Sequence, residues 1–330
     1  RDWSSDVCSS DLKSSQTPPS QQAGASAPAS SLTAGLFEDP PPAVSTVAEV
    51  RYETVLDVDH LEQWIERITQ AELTCIDTET TSIDGMRARL VGLSLATQAG
   101  HAAYIPLAHN GPGCPAQLDL NEVLQRLRPW LENPAAPKLG QHIKYDRHVL
   151  ANHGIEVRGY VHDTLLQSYV LEVHKPHGLE SLALRHLGLK GLSYEELCGK
   201  GAHQISFAQV DLERAARYSC EDADYTLRVH QLLWPRLQET PSLVNIYQLE
   251  IESSESLYRM ERHGVLIDAQ ALAQQSHELG QRILALEAQA QDLAGQPFNL
   301  GSPKQIGEIF FNRSEEHTSE LQSRLHLVCR

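Results

Sequence analysis

Leu73-Thr-Cys-Ile76 is a short apolar run that leads directly into two carboxylates, Asp77 and Glu79, with Thr78 between them. A run this short and this apolar reads as a buried strand. Side chains alternate across a strand with period two, so Asp77 and Glu79 point to the same side, about 6–7 Å apart along the backbone. Two carboxylates held side by side at the end of a buried strand repel each other. A divalent metal bound by oxygen ligands is the usual answer to that repulsion.

The strand sits inside a longer alternation. Leu61–Ile68 carries Leu61, Trp64, Ile65 and Ile68 on one face and reads as a helix. Leu73–Thr78 is the first strand, and Arg89–Ala96 and His101–Pro106 follow as two more, joined by a turn near Gly100. Leu118–Leu131 has amphipathic helical spacing, Lys138–His142 is a short strand, and Lys144–Asn152 continues as a helix. Asp163–Glu172, Leu179–Leu187 and Val210–Leu233 read as further helices. Hairpins followed by alternating helices predict an α/β domain over residues 46–238, a mixed sheet flanked by helices.

Residues 239–312 have a different character. Ile246–His263 and Ala269–Leu293 show long helical periodicity around the break Gly264-Val-Leu-Ile-Asp268, which reads as two antiparallel helices. Asn299-Leu-Gly-Ser302-Pro303 then looks like a capped helix start, with Ser302 as N-cap. Residues 13–45 are rich in Ser, Pro, Ala and Gln and read as a disordered linker.

The two ends read as artefacts. Asp2–Leu12 is DWSSDVCSSDL and Arg313–Ser323 is RSEEHTSELQS. One DNA strand and its reverse complement encode the two peptides, and that strand resembles a common short-read library adapter. Residues 1–12 and 313–330 are therefore set apart from fold reasoning, and the natural protein is expected to be longer.

Composition excludes some classes. The net charge of −16 argues against a protein that coats nucleic acid through a basic surface. It leaves room for an enzyme that grips a strand end through metals, which supply positive charge locally. No run approaches the roughly 20 apolar residues that cross a bilayer, and no signal peptide is visible. None of the six cysteines stands in CxxC spacing, which argues against a structural zinc site. Their scatter fits free thiols in a reducing cytoplasm.

Three more residues join Asp77 and Glu79. Asp146 lies in Gly140-Gln-His-Ile-Lys-Tyr-Asp146, where a strand passes into a helix. Tyr218 and Asp222 lie four apart in Tyr218-Ser-Cys-Glu-Asp222 on a predicted helix and so share a face. The order D-x-E, Y-D, Y-x-x-x-D resembles the three exonuclease motifs of proofreading nucleases that use four acidic residues and a tyrosine. Lys138–Arg147, Val161-His-Asp163-Thr and Glu221-Asp-Ala-Asp224 resemble the bacterial family A DNA polymerases. Met260–Asp268 and Asn299–Gln305 resemble the start of that family's polymerase domain.

The resemblance implies a ribonuclease H-like fold over residues 46–238, followed by the α-helical start of a polymerase domain over 239–312. It implies a 3′→5′ exonuclease that trims single-stranded or frayed DNA ends by two-metal hydrolysis, with Mg²⁺ the expected ion and Mn²⁺ a substitute. Asp77 would bridge the metals, Glu79 and Asp222 would complete the first site, Asp146 would hold the second, and Tyr218 would orient the attacking water. Thr80, Ile83 and Phe207 are candidates for contact with the frayed 3′ end, and Lys144 and Arg147 for contact with phosphate.

The family usually has Asn four residues before the middle-motif Asp, where this chain has His142. His142 is therefore a further substrate-side candidate, able to donate a hydrogen bond and to add pH sensitivity. The implied protein is a cytoplasmic, nucleoid-associated bacterial monomer, with polymerase and 5′-nuclease domains on the intact chain. The family's nucleotide-adding carboxylates lie beyond residue 312, so no nucleotide incorporation is expected. Two readings compete: a ribonuclease D-like RNA exonuclease, and a non-catalytic domain that binds DNA ends.

Overall fold

The computed structural model describes residues 50–312. The expected linker at 13–45 and the adapter-like stretches at 1–12 and 313–330 lie outside the described residues. The chain divides into two compact units at Gly264.

The first unit begins with β1 (Arg51–Thr54), α1 (Val58–Gln70), β2 (Thr74–Thr80), β3 (Leu90–Gln98) and β4 (His101–Pro106). It continues with α2 (Leu120–Leu131), β5 (Lys138–Gly140), α3 (Ile143–Ala151), β6 (Tyr160–Asp163) and α4 (Thr164–Leu171). The short helices α5 (Leu179–Leu182) and α6 (Tyr194–Cys198) precede the long α7 (Leu212–Gln238) and α8 (Pro241–His263). Helix starts follow from local chemistry: the carboxylates of Asp57, Asp119, Asp163 and Asp211 each accept a backbone N–H at the head of α1, α2, α4 and α7.

The strands form one mixed sheet in the order β1-β4-β3-β2-β5-β6. The β2-β3-β4 meander is antiparallel, and β1, β5 and β6 add in parallel. This is the mixed sheet flanked by helices that the alternation predicts, followed by a helical segment. Two strands escape the sequence reading, β1 and β6. Each is only four residues long and lies at a sheet edge, so neither shows a full period of apolar alternation.

The pleat sorts β2 between two cores. Ile76 packs with Leu61, Trp64, Leu93, Trp130 and Leu150 under α1, α2 and α3. Cys75, one residue earlier, packs with Val91, Ala102, Ala215, Cys220 and Ala223 against α7. Small residues on the α7 side, Ala96 and Ala102 clustered with Ala215, Ala216 and Ala223, bring the helix close to the sheet.

Helix α8, which the sequence reading groups with residues 239–312, packs within the first unit. Tyr247 is 2% exposed, and its hydroxyl accepts from the Asp163 backbone N–H at 2.9 Å. Its ring packs on Trp234 at 5.7 Å. Further along α8, Tyr258 lies 4.0 Å beneath the Arg147 guanidinium, and Glu255 and Glu261 pair with Arg147 and Lys144. These anchors are aromatic and ionic contacts with distant residues, which helical periodicity does not reveal.

The second unit holds α9 (Ala269–Ala294) and α10 (Pro303–Asn312). Helix α9 buries none of its side chains. Ser302 stands before Pro303 at the head of α10 and its hydroxyl accepts from Gln305 N, as the capped start predicts.

Candidate active site

Alternation along β2 decides what each residue of Asp77-Thr78-Glu79 can meet. Asp77 and Glu79 share the Cys75 side and face α7, while Thr78 shares the Ile76 side and faces α3. Helix α7 presents Tyr218, Ser219 and Asp222 within an arc of about 100°, because successive residues turn by about 100°. One carboxylate oxygen from each of Asp77, Glu79 and Asp222 lies within 4.8 Å of the others. Glu79 is 2% exposed, and Asp77 and Asp222 are half-buried.

Electrostatics make this cluster costly without a cation. Desolvation, followed by the charges of Asp77 and Glu79, holds the Asp222 carboxyl well above the usual carboxylate range. The Tyr218 side chain bonds to Asp222 and opposes part of that shift. Ser219 Oγ donates to Glu79 Oε1 at 3.0 Å. An all-carboxylate donor set this compact fits a hard, oxygen-preferring divalent cation.

Asp146 arrives on the other side of the strand. Its Oδ1 accepts from Thr78 N at 3.1 Å and from Thr78 Oγ1 at 2.5 Å, so the middle-motif acid is tied to the residue between Asp77 and Glu79. It is not part of the three-carboxylate cluster. Asp163 fixes the start of α3 that carries it. The Asp163 carboxylate accepts from His142 N at 3.0 Å, Ile143 N at 3.1 Å and Tyr160 Oη at 2.9 Å, besides capping α4.

His142 is the one non-glycine residue with positive φ among the described residues, at 61°, and it occupies the N-cap position of α3 without a side-chain cap. Asn and His are the non-glycine side chains, with Asp, that tolerate this left-handed region best. The exchange of Asn for His therefore preserves a backbone requirement, whatever the side chain does.

The other candidates separate. Ile83 is 69% exposed on the loop after β2. Thr80 is buried; its hydroxyl bonds to the Ser82 carbonyl at 3.1 Å and to Tyr145 Oη, which also donates to the Ser82 carbonyl. Phe207 is 1% exposed, with its ring 6.0 Å from Tyr218 and 5.7 Å from His109. It offers no surface to a strand end and instead packs behind Tyr218, where core burial outweighs any wedge role. Lys144 and Arg147 are paired with Glu261 and Glu255 on α8.

Glu221 and Asp224, which read either as surface acids or as groups supporting the site residues, are buried. Asp224 is fully enclosed and accepts from Gly100 N at 2.6 Å and Tyr52 Oη at 2.9 Å, with Arg228 at 3.5 Å. It staples α7 to the β3-β4 turn and to β1. Glu221 accepts from Leu192 N at 3.0 Å and Arg217 Nε at 2.9 Å. The sequence reading also passed over Ser219, Thr78 and Asp163 as positioning groups. The helical arc that joins Tyr218 to Asp222 already contained Ser219.

With this geometry in place, comparison with known proteins decides the family. A family model described as 3′-5′ exonuclease matches residues 52–238. The chain belongs to this 3′-5′ exonuclease family. It is 49% identical to DNA polymerase I of Pseudomonas aeruginosa over 270 residues, which cover 81% of this chain and 30% of that protein. DNA polymerase I of Rhizobium leguminosarum is 39% identical over 281 residues, 79% of this chain and 28% of that protein. The chain thus spans under a third of the length of these curated relatives. The POL domain of Pol1 from M. smegmatis, solved with a DNA primer-template and dNTP, shares the fold with a TM-score of 0.62 at 22% identity, over 83% of this chain and 45% of that one.

Proposed function

We propose that this chain removes nucleotides from single-stranded or frayed DNA 3′ ends, releasing deoxynucleoside 5′-monophosphates, as the proofreading part of a longer DNA polymerase I. The observation that carries the reading is the convergence of Asp77, Glu79 and Asp222 within 4.8 Å inside a chain of the 3′-5′ exonuclease family. Residues 46–238 would form the exonuclease domain and 239–312 the first helices of a polymerase domain.

Asp77, Glu79 and Asp222 would hold one divalent ion, and Asp77 with Asp146 a second, with Mg²⁺ the proposed occupant and Mn²⁺ a substitute. Two such ions, when bound, supply a hydroxide at neutral pH and stabilise the leaving 3′ oxygen. The chain's own residues do the rest. Tyr218, bonded to Asp222, would orient the attacking water, with Phe207 against its ring and His109 behind Phe207. Thr78 keeps Asp146 turned toward β2. The exposed Ile83 is the apolar surface nearest in sequence to Glu79 and would meet the terminal nucleotide, with Thr80 and His142 lining the approach.

No described helix is long and apolar enough to cross a membrane, which is compatible with the cytoplasmic, monomeric, DNA-bound placement proposed here. The test is digestion of 5′-labelled single strands with Mg²⁺. A ladder of shortened DNA that EDTA abolishes is expected. Shortening of RNA but not DNA would favour the ribonuclease D-like reading, and no shortening of either would leave a non-catalytic end-binding domain.

A further inference from the structure

We infer that Ser219 is a positioning residue for the metal cluster: its hydroxyl sets the orientation of the Glu79 carboxylate and thereby the affinity of the site for a divalent cation. The inference rests on the metal-dependent reading above and adds to it a group outside the five motif residues.

The geometry is specific. Ser219 Oγ and Glu79 Oε1 are 3.0 Å apart, and both side chains are buried. A hydrogen bond to an ionised carboxylate is roughly twice as strong as one between neutral groups. Engaging Oε1 in this way resists the rotation that would exchange the two oxygens, so one particular oxygen faces Asp77 and Asp222. Ser219 also lies three residues before Asp222 on α7. The helix that supplies one ligand therefore supplies the group that orients another.

Gly92 and Tyr104 form other walls around Glu79. Gly92 is its cross-strand neighbour and has no side chain. The Tyr104 ring fills the space there, with its hydroxyl 2.1 Å from where a Gly92 Cβ would sit. That hydroxyl is engaged by His109 Nε2 at 2.7 Å. Burial first, and Glu79 second, pushes the Tyr104 phenol far up, so it stays neutral against the carboxylate. Asp77 and Asp222 repel Glu79. Ser219 is a neutral donor that attracts it.

Groups that orient metal ligands typically change metal affinity by about 10–100-fold when removed. The test is Mn²⁺ binding by isothermal titration, independent of nuclease activity, on wild type, Ser219→Ala, Ser219→Thr, Glu79→Ala and the Glu79→Ala/Ser219→Ala pair. We expect about tenfold weaker binding for Ser219→Ala and recovery to within about twofold for Ser219→Thr, which keeps the hydroxyl. Adding Ser219→Ala to Glu79→Ala, which has no side-chain acceptor at 79, should change nothing further. Melting in EDTA should stay within a few degrees of wild type for Ser219→Ala, since alanine is a better helix former than serine. Binding by Ser219→Ala within twofold of wild type would overturn the inference and leave the metal-dependent reading standing. Equal weakening in both Glu79 backgrounds would also overturn it, because Ser219 would then not act through Glu79. Absence of Mn²⁺ binding by wild type would overturn both.

Discussion

The cost of crowding three carboxylates can be measured by removing one. In Asp222→Asn the side chain keeps its shape and can still accept from Tyr218, but it loses its charge. At a separation of 4.8 Å each carboxylate pair repels by about 3.5 kcal/mol at an effective dielectric of 20, and by about 0.9 kcal/mol in bulk water. Asp222 faces two partners, Asp77 and Glu79, and is only half-buried, so the screened end of that range applies. Two such repulsions amount to about 2 kcal/mol for the substitution to recover.

The sign of the pH dependence follows. Asp222 has its folded-state pKa raised, so its contribution to stability is fully present below the unfolded value of about 3.9 and is lost as pH rises through the folded value. In EDTA at pH 8, Asp222→Asn should therefore be about 2 kcal/mol more stable than wild type, or a melting point higher by roughly 4–8 °C. The gain should shrink at pH 5. Added Mg²⁺ should raise the melting point of wild type and leave the variant unchanged. Urea and thermal unfolding at both pH values read these quantities. A variant less stable than wild type in EDTA at pH 8 would refute the account of a strained, cation-requiring cluster.

Further expectations concern the scaffold. Asp224→Ala strands Gly100 N, Tyr52 Oη and the Arg228 guanidinium and should cost about 3–5 kcal/mol in urea unfolding, with Asp224→Asn recovering part of it. His142→Asn should unfold within 0.5 kcal/mol of wild type, in keeping with the ~0.5 kcal/mol spread of benign surface changes, whereas His142→Val at φ 61° should lose about 1–3 kcal/mol. His162 and His230 stack at 4.3 Å against Trp234 and Tyr247. Burial pushes His162 down to about 4, and burial together with His162 pushes His230 down to about 3. Folded pKa values below the unfolded value of about 6.5 mean that stability is full above that pH and falls below it, by roughly 3 kcal/mol at pH 5. Stability unchanged between pH 7 and pH 5 would contradict the buried-histidine account.

Much of this molecule was legible in its sequence because its determinants are periodic. Leu61, Trp64 and Ile68 at helical spacing gave α1, and alternation after Cys75 put Asp77 and Glu79 on one face. What stayed hidden depends on partners distant in the chain. Ser219 meets Glu79 across 140 residues, and Asp146 meets Thr78 across 68. Phe207 looked available to substrate because nothing local shows that Tyr218 and His109 enclose it. Sequence alone leaves Glu221 and Asp224 open between surface acids and supporting groups, because their partners, Leu192 N and Gly100 N, are backbone groups of remote turns. The packing of α8 on the first unit is not legible because the residues that hold it, Arg147, Asp163 and Trp234, belong to three other elements.

The central claim is that the cluster around Asp77 drives hydrolysis of DNA from its 3′ end. The most direct measurement compares wild type with Asp77→Ala on a 5′-labelled single strand at saturating Mg²⁺, with melting curves to show that both are folded. Loss of a metal-site carboxylate is expected to lower the rate by at least about 10³-fold, in line with about 4 kcal/mol of transition-state stabilisation. A folded Asp77→Ala protein that shortens the strand at a rate near that of wild type would contradict the account.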